Sequence, residues 1–173
     1  MNEAYQNLLN RRSVRSYKNE QIKKEELDMI LEAGTYAPTA MGKQSPIMVV
    51  LQDADKISDL SMLNARVMGV DSDPFYGAPT VVVVFGEKNS GCGVQDASLV
   101  MGNLMNAASA LGVASCWINR AKEEFELPEG VKLLEKWGID PEKYEGVGHC
   151  ILGYANGEVP QAKPRKEGYI LRK

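Results

Sequence analysis

The chain has 173 residues, which fits one globular domain. Hydrophobic residues make up 44% and charged residues 25%, ordinary values that argue against disorder. Cys92, Cys116 and Cys150 lie far apart and form no disulfide or zinc-binding pattern, which favours a reduced, cytoplasmic setting. No apolar run approaches the roughly 18 residues of a membrane helix, and no signal-peptide pattern opens the chain, so we expect no membrane association.

The net charge of −3 conceals two basic ends on an acidic body. Residues 1–18 carry a net charge of +3 and residues 159–173 carry +4, so the middle of the chain carries −10. Nonspecific nucleic-acid binding needs a basic face, and we therefore expect no nucleic-acid partner. Two short basic segments suit a smaller anion, such as one phosphate group.

Predicted helices and strands follow one another along the chain without an internal repeat. Apolar periodicity and capping residues predict helices over 3–10, 24–36, 53–68, 94–111 and around 130–137. Continuous apolar runs, typical of buried strands, predict strands over 47–51, 80–85, 113–118 and 147–154. In the first helix we expect the inner side to hold Ala4, Tyr5, Leu8 and Leu9.

The C-terminal tail, residues 157–173, is rich in Pro and Lys and has no core pattern before Tyr169-Ile170-Leu171. It is too long for simple fraying and ends in a β-prone triplet. We therefore predict a single domain over residues 1–173 whose tail docks on a partner subunit.

Common catalytic and nucleotide-binding motifs are missing or incomplete. Residues 91–96 begin like a dinucleotide fingerprint, but Asp96 stands at the third glycine position and no strand leads directly into the segment. The single histidine, His149, argues against a Ser-His-Asp triad and against a histidine-based metal site, so we expect no metal. We interpret His149 as a structural residue with satisfied hydrogen bonds.

Two basic clusters are candidate anion sites. The segment 11–15 (Arg-Arg-Ser-Val-Arg) combines guanidinium groups, a hydroxyl and loop amides, all of which donate to phosphate oxygens. The same arginines also suit a helix C-terminus. The second cluster, residues 163–166, would by itself be a solvated tail. Together the two clusters favour a dianionic ligand.

A third candidate segment is the loop over residues 37–46, between a predicted helix and a predicted strand. Its small side chains, hydroxyls and backbone N–H groups are accessible to a flat ligand. A simple connection between two elements is the alternative interpretation.

The segments and their order along the chain resemble those of the FMN-dependent nitroreductase family. The resemblance is carried by Arg-Arg-Ser-Val-Arg-Ser-Tyr at 11–17, Ala-Pro-Thr-Ala-x-x-x-Gln at 37–44, Cys-Trp-Ile at 116–118, and Leu-Gly-Tyr at 152–154 followed by Lys-x-Arg-Lys at 163–166. It covers nearly the whole chain. It implies an α+β fold, a three-layer α-β-α arrangement around a central mixed, mainly antiparallel sheet. It also implies an intertwined homodimer with two FMN sites at the interface.

The resemblance further implies which residues bind FMN. From one subunit, the N-terminal segment would contribute Arg11 at the phosphate, Arg12, Ser13, and Arg15 toward the ribityl chain and the pyrimidine ring. Lys163 and Arg165 would complete the phosphate clamp, Ile118 and Asn119 would face the flavin N5 edge, and Asn64 matches a further flavin-contacting asparagine. From the other subunit would come Pro38, Thr39 and Ala40, with Gln44 close by.

Several positions depart from the family pattern. Gly42 stands where many members have asparagine, and Val67 replaces a lysine that often follows the asparagine by three residues. Asn119-Arg120 replaces a pair that usually contains glycine, which brings a side chain toward the substrate side. Asn119 and Arg120 are therefore the residues that we expect to tune the electron acceptor.

The implied activity is that of an NAD(P)H-dependent oxidoreductase. Hydride would pass from NADH or NADPH through flavin N5 to a small electron-poor acceptor, such as a nitroaromatic or a quinone, with ping-pong kinetics. Because N5 carries the chemistry, no catalytic side chain is expected. Two alternatives remain open: a flavin carrier or sensor without turnover of its own, and a thiol-redox protein that uses one of the three cysteines.

Overall fold

A computed structural model describes residues 2–173 as helices packed on both faces of one four-stranded sheet. The helices are α1 (Glu3–Asn10), α2 (Lys24–Thr35), α3 (Ala54–Met68), α4 (Gly93–Ala110), α5 (Ala121–Glu126) and α6 (Pro128–Lys136). The strands are β1 (Ile47–Leu51), β2 (Thr80–Glu87), β3 (Ala114–Ile118) and β4 (Tyr144–Gly153). Over these residues no helix has both the length and the apolar character needed to cross a membrane.

The strands lie in the order β1-β2-β4-β3, and each neighbouring pair is antiparallel. A parallel bridge from Ser13 to Ser115 attaches the N-terminal segment to the free edge of β3. An antiparallel bridge joins Tyr17 to Ala155, just beyond β4. The predicted mainly antiparallel sheet is confirmed, with its parallel component at the Ser13 bridge.

Alternating residues of β2 divide the core into two halves. Val81 and Val83 face the layer formed by α3, α5 and α6, whereas Val82 and Val84 face the layer formed by α2 and α4. All four valines are fully buried, because a strand in the middle of a sheet with helices on both faces has no solvent side. The three-layer α-β-α architecture is thereby confirmed.

The bounds of most predicted elements are confirmed to within three residues, but one helix was missed and one expectation is wrong. Helix α5 was not predicted, because its six residues include one large apolar side chain, Phe125, too few to reveal a helical period. The inner side expected for α1 is not buried: Leu8 is 60% exposed, and Ala4, Tyr5 and Leu9 are also exposed. This helix is attached to α4 through the Asn7 amide, which donates to the Asn106 carbonyl at 2.8 Å.

Candidate cofactor site

The arginine segment follows directly on α1 and runs along the edge of β3. The Arg12 Nη1 donates to the carbonyls of Leu9 and Arg11, at 2.7 Å each, so this side chain also caps the helix C-terminus. The amide of Val14 donates to the Ser115 carbonyl at 3.0 Å. These contacts fix the backbone from which Arg11, Arg12 and Ser13 project.

Two guanidinium atoms of this segment lack partners. Arg11 Nη1 and Arg12 Nε are buried, and no other described residue accepts a hydrogen bond from them. Buried charged donors without an acceptor carry a desolvation cost, which an anionic ligand would remove. Arg11 also lies close to the sheet: burial raises the pKa of the Cys150 thiol to about 12, and the charge of Arg11 acts in the opposite direction. The segment therefore fits a phosphate group.

A cavity of about 230 Å³ adjoins the arginine segment. It lies between Arg12, Val14 and Ser115 on one side and the end of α4 on the other, with Val159 of the tail at its rim. The tail residues Lys163 and Arg165 are exposed. Arg165 Nε and Nη2 donate to the Lys163 carbonyl at 3.2 and 2.5 Å, which keeps these hydrogen bonds within the tail. Convergence of the tail on Arg11 therefore stays a prediction.

The loop over residues 37–46 forms a second structured segment, after α2. Its turn is held by the Ala40 amide, which donates to Asp96 Oδ1 at 3.0 Å, and by the Gln44 amide, which donates to Thr39 Oγ1 at 2.9 Å. Pro38 precedes this turn. Asp96 is 4% exposed, and its Oδ2 has no hydrogen-bond partner in the described part of the chain. Sequence reasoning treated Asp96 only as a departure from a glycine motif and missed this role.

This loop and the arginine segment line different cavities. Thr39 and Gln44 line a cavity of about 140 Å³ together with residues of α2, β1 and α4. That cavity shares no lining residue with the one beside Arg12. Within one chain, the arginine segment and this loop thus form two separate groups of predicted cofactor residues.

The end of β3 holds the third group of predicted residues. Ile118 is buried, Asn119 is exposed and Arg120 is partly buried with a left-handed backbone, φ 78°. Asn64 on α3 is buried beside them: its Nδ2 donates to the Asn119 carbonyl at 2.9 Å, and its Oδ1 accepts from Arg120 Nε at 3.0 Å. The Asn64 amide is therefore hydrogen-bonded to protein groups. Glu124 also accepts from Asn64 Nδ2, and the sequence analysis did not identify this residue.

The largest described cavity lies elsewhere and includes none of the predicted cofactor residues. It has a volume of about 570 Å³ and is lined by residues of α3 and by residues between 71 and 79. The Asp73 carboxylate at its wall accepts from Ser61 Oγ at 2.5 Å and from the amides of Phe75 and Gly77 at 2.8 and 2.6 Å. The charged residues that line this cavity, Asp71 and Asp73, are carboxylates, so its lining offers no positive charge to a phosphate.

Comparison with known proteins agrees with this arrangement. The model of the nitroreductase family matches residues 8–154. A nitroreductase with bound FMN from Bacteroides fragilis is 30% identical, with 99% of each chain covered and a TM-score of 0.91. The "Putative NADH dehydrogenase/NAD(P)H nitroreductase" of Archaeoglobus fulgidus is 28% identical over 163 residues, covering 91% of this chain and 88% of that protein. The chain belongs to the nitroreductase family.

A further relative matches only part of the chain. The NAD(P)H-dependent FMN reductase of Bacillus subtilis is 33% identical over 76 residues, which covers 44% of this chain and 30% of that protein.

Proposed function

We propose that this protein is an FMN-dependent oxidoreductase that transfers hydride from NADH or NADPH to a small electron-poor acceptor, such as a nitroaromatic or a quinone. The observation that carries the proposal is the pair of buried guanidinium atoms without partners, on Arg11 and Arg12, beside Ser13 in a chain of this family. A phosphate group would satisfy both donors.

The chain's own residues bind and orient the cofactor. Arg11, Arg12 and Ser13 bind the phosphate, and Lys163 and Arg165 complete that clamp. Further contacts come from Arg15, from the backbone of Ile118 and Asn119, and from Pro38, Thr39, Ala40 and Gln44. The arginine and lysine side chains among these residues also create a positive field that favours negative charge on the ligand.

Bound FMN supplies the redox chemistry, because its N5 accepts and donates a hydride. The protein contributes no general acid or base to this scheme. Since the chain has no dinucleotide fingerprint, the nicotinamide nucleotide binds weakly and leaves before the acceptor enters the same place. Asn119 and Arg120 line the acceptor side and set which acceptor is used.

A cytoplasmic homodimer completes the proposed site. The arginine segment and the loop over residues 37–46 line different cavities, so we infer that each FMN takes one group from each subunit. The tail, residues 157–173, crosses to the partner and gives an intertwined dimer of single-domain chains. Exposed apolar side chains on α1 and at the end of the tail are consistent with such an interface.

Kinetics with two acceptors test the proposed function. The purified protein should show flavin absorption bands, oxidise NADH or NADPH with menadione or a nitroaromatic, and give parallel double-reciprocal lines. Intersecting lines would indicate a ternary complex and would contradict the proposal that nucleotide and acceptor bind in the same place. If neither nucleotide reduces the bound flavin, the protein is a carrier or sensor and the oxidoreductase proposal is wrong.

A further inference from the structure

Three buried residues form a polar cluster directly behind the turn at residues 118–120. We call Asn64, Glu124 and His149 the Asn64 network. They lie on α3, α5 and β4, and all three are 0% exposed. Polar groups are rarely buried without partners, because each unsatisfied one costs free energy. The partners of this network are therefore informative, and they include three successive residues at the end of β3.

The carboxylate of Glu124 fixes the orientation of the Asn64 amide. Asn64 Nδ2 donates both to Glu124 Oε1 and to the Asn119 carbonyl, while Oδ1 accepts from Arg120 Nε. A flipped amide would place its oxygen against the carboxylate and its NH₂ group against the guanidinium, which is unfavourable on both sides. Only one orientation of Asn64 therefore satisfies Asn119 and Arg120 together.

His149 holds Glu124 from the other side and closes the network on β3. His149 Nε2 lies 2.8 Å from Glu124 Oε2, a close polar contact without hydrogen-bond geometry, and neither atom makes a hydrogen bond among residues 2–173. His149 Nδ1 lies 3.3 Å from the Ile118 carbonyl. A carbonyl only accepts hydrogen bonds, so a hydrogen bond at this contact requires a proton on Nδ1. The three residues thus form a continuous series of contacts. His149 contacts the Ile118 carbonyl at one end, and Asn64 contacts Asn119 and Arg120 at the other, with Glu124 between them.

The turn that this network holds is strained. Arg120 has φ 78°, a left-handed backbone that is unfavourable for a non-glycine residue. Such a conformation persists only where its surroundings impose it. The hydrogen bonds of Asn64 to the Asn119 carbonyl and the Arg120 side chain supply that constraint.

We propose that Glu124 and His149 are positioning residues for the acceptor side of the site, acting through Asn64 on the Asn119–Arg120 turn. This inference rests on the proposed function where it concerns acceptors. The part that concerns the restraint of residues 118–120 is independent of any cofactor. The network fixes the Arg120 side chain, and thereby limits which acceptors fit.

The single histidine permits a direct test on the unaltered protein. ¹⁵N-histidine labelling gives one imidazole in the NMR spectrum, since His149 is the only histidine in the sequence. We expect a protonated Nδ1. An Nδ1 without a proton is incompatible with the Ile118 contact and would overturn the proposal.

Hydrogen exchange of the apoprotein tests the restraint itself. The double variant Glu124→Leu/His149→Phe removes the polar pair but keeps the volume filled, and the rings of Phe75 and Phe125 already pack around His149. Replacing both partners of a buried polar contact with apolar residues of similar volume is often neutral for stability. We expect amides of residues 118–124 to exchange at least about tenfold faster, as the loss of a charge-assisted hydrogen bond implies. Asn64→Ala should give the same acceleration with the pair intact.

Two further variants separate positioning from general structural loss. Glu124→Gln keeps an oxygen acceptor for Asn64 and should preserve slow exchange. Arg66→Gln is the matched control. Arg66 also joins α3 to a neighbouring helix, because its Nη1 lies 3.0 Å from Glu129 Oε1 on α6, but this ion pair is at the exposed surface. Unchanged exchange at 118–124 in a folded double variant or in folded Asn64→Ala would overturn the proposal.

The acceptor readout uses the FMN-loaded protein. In Asn64→Ala the ratio of kcat/KM for menadione to that for a nitroaromatic should change about tenfold or more, because the two acceptors meet the altered Arg120 side chain differently. Faster exchange together with an unchanged ratio would contradict the acceptor role. Failure of every variant and of the wild type to turn over would instead refute the proposed function and leave the exchange and NMR results to stand.

Discussion

Arg120 combines a strained backbone with a side chain fixed by Asn64, and it belongs to the Asn119-Arg120 pair in which the family resemblance leads us to expect a glycine. In Arg120→Gly, relief of the left-handed strain, about 1 kcal/mol, is offset by loss of one hydrogen bond of similar value. We therefore expect little change in the free energy of unfolding or in FMN affinity, but a changed acceptor preference. Competition between a quinone and a nitroaromatic measures this acceptor preference. Equal losses for both acceptors, with weaker FMN binding, would contradict an acceptor-tuning role.

Arg11 is predicted to contact the phosphate, and comparison of FMN with riboflavin isolates that contact. A charge-assisted hydrogen bond contributes about 1.5–3 kcal/mol, so Arg11→Ala should weaken FMN binding about 10- to 100-fold and riboflavin binding far less. Quenching of flavin fluorescence measures both affinities. Lys18→Ala, a charge removal in the same basic segment, is the control. Equal losses for FMN and riboflavin would show that Arg11 is structural.

Individual side chains were predictable from the sequence only where short motifs contain them. The arginine segment and the loop over residues 37–46 are contiguous, so their composition reveals a possible ligand site. Asp96 and Glu124 act on partners 56 and 60 positions away, through the Ala40 amide and the Asn64 side chain. No local pattern encodes such contacts, because they exist only after the helices have packed.

At the scale of elements, the close approach of α2 to α4 depends on Gly34. A Cβ at this position would lie 2.8 Å from Leu104 Cδ2 and 3.2 Å from Met48 Sδ. Overpacking of this kind costs about 1–3 kcal/mol, so Gly34→Ala should lower the free energy of unfolding despite its higher helix propensity. Urea denaturation measures the loss. The double variant with Leu104→Ala should be less destabilised than the sum of the single variants, and strict additivity would contradict the clash.

The start of α2 is joined to the end of β4 by Glu26, which makes the junction sensitive to acid. The Tyr154 hydroxyl donates to Glu26 Oε2 at 2.6 Å and lowers the pKa of this carboxyl below its ordinary value of 4.5; the Lys23 amide acts in the same direction. A lowered folded-state pKa gives stability that is present above the unfolded pKa and is lost as pH falls through the folded value.

We therefore expect the thermal midpoint of the wild type to fall more steeply below about pH 4.5 than that of Glu26→Gln. Calorimetry at several pH values measures the difference. Glu25→Gln, an exposed carboxylate of the same turn, is the control. Parallel pH profiles for the wild type and Glu26→Gln would show that the Tyr154 contact adds no pH-dependent stability.

Strands were predicted best where both faces are buried. Strand β2 has four consecutive valines and was identified almost to its bounds, whereas β4 begins three residues earlier than predicted. Gly146 stands just before the predicted start, where the sequence pattern treats it as a break, whereas Gly148 lies inside the predicted strand. A Cβ at Gly148 would lie 2.5 Å from Trp117 Nε1, so the glycine serves a neighbouring side chain and not a turn.

The whole molecule has apolar surface that its own fold does not cover. Tyr169, Ile170 and Leu171 at the end of the tail are 78%, 74% and 74% exposed, and the apolar side of α1 is exposed as well. The sequence predicted an external role for the tail but placed the side chains of α1 inside. Periodicity identifies an apolar helix face without indicating whether the same chain or a second copy covers it.

Replacement of Tyr169, Ile170 and Leu171 by serine tests the proposed dimer without removing Lys163 or Arg165. If the triplet docks on a second copy, its loss removes most of the apolar surface that the tail can bury there, so the dimer should dissociate at micromolar concentration. FMN affinity should fall in parallel, because each site is proposed to need both subunits. Sedimentation velocity at several FMN concentrations measures both effects, and Met62→Ser, an exposed apolar residue at the large cavity, is the control. A monomer that binds FMN as tightly as the wild type would refute the shared site, and an unchanged dimer would exclude the tail from the interface.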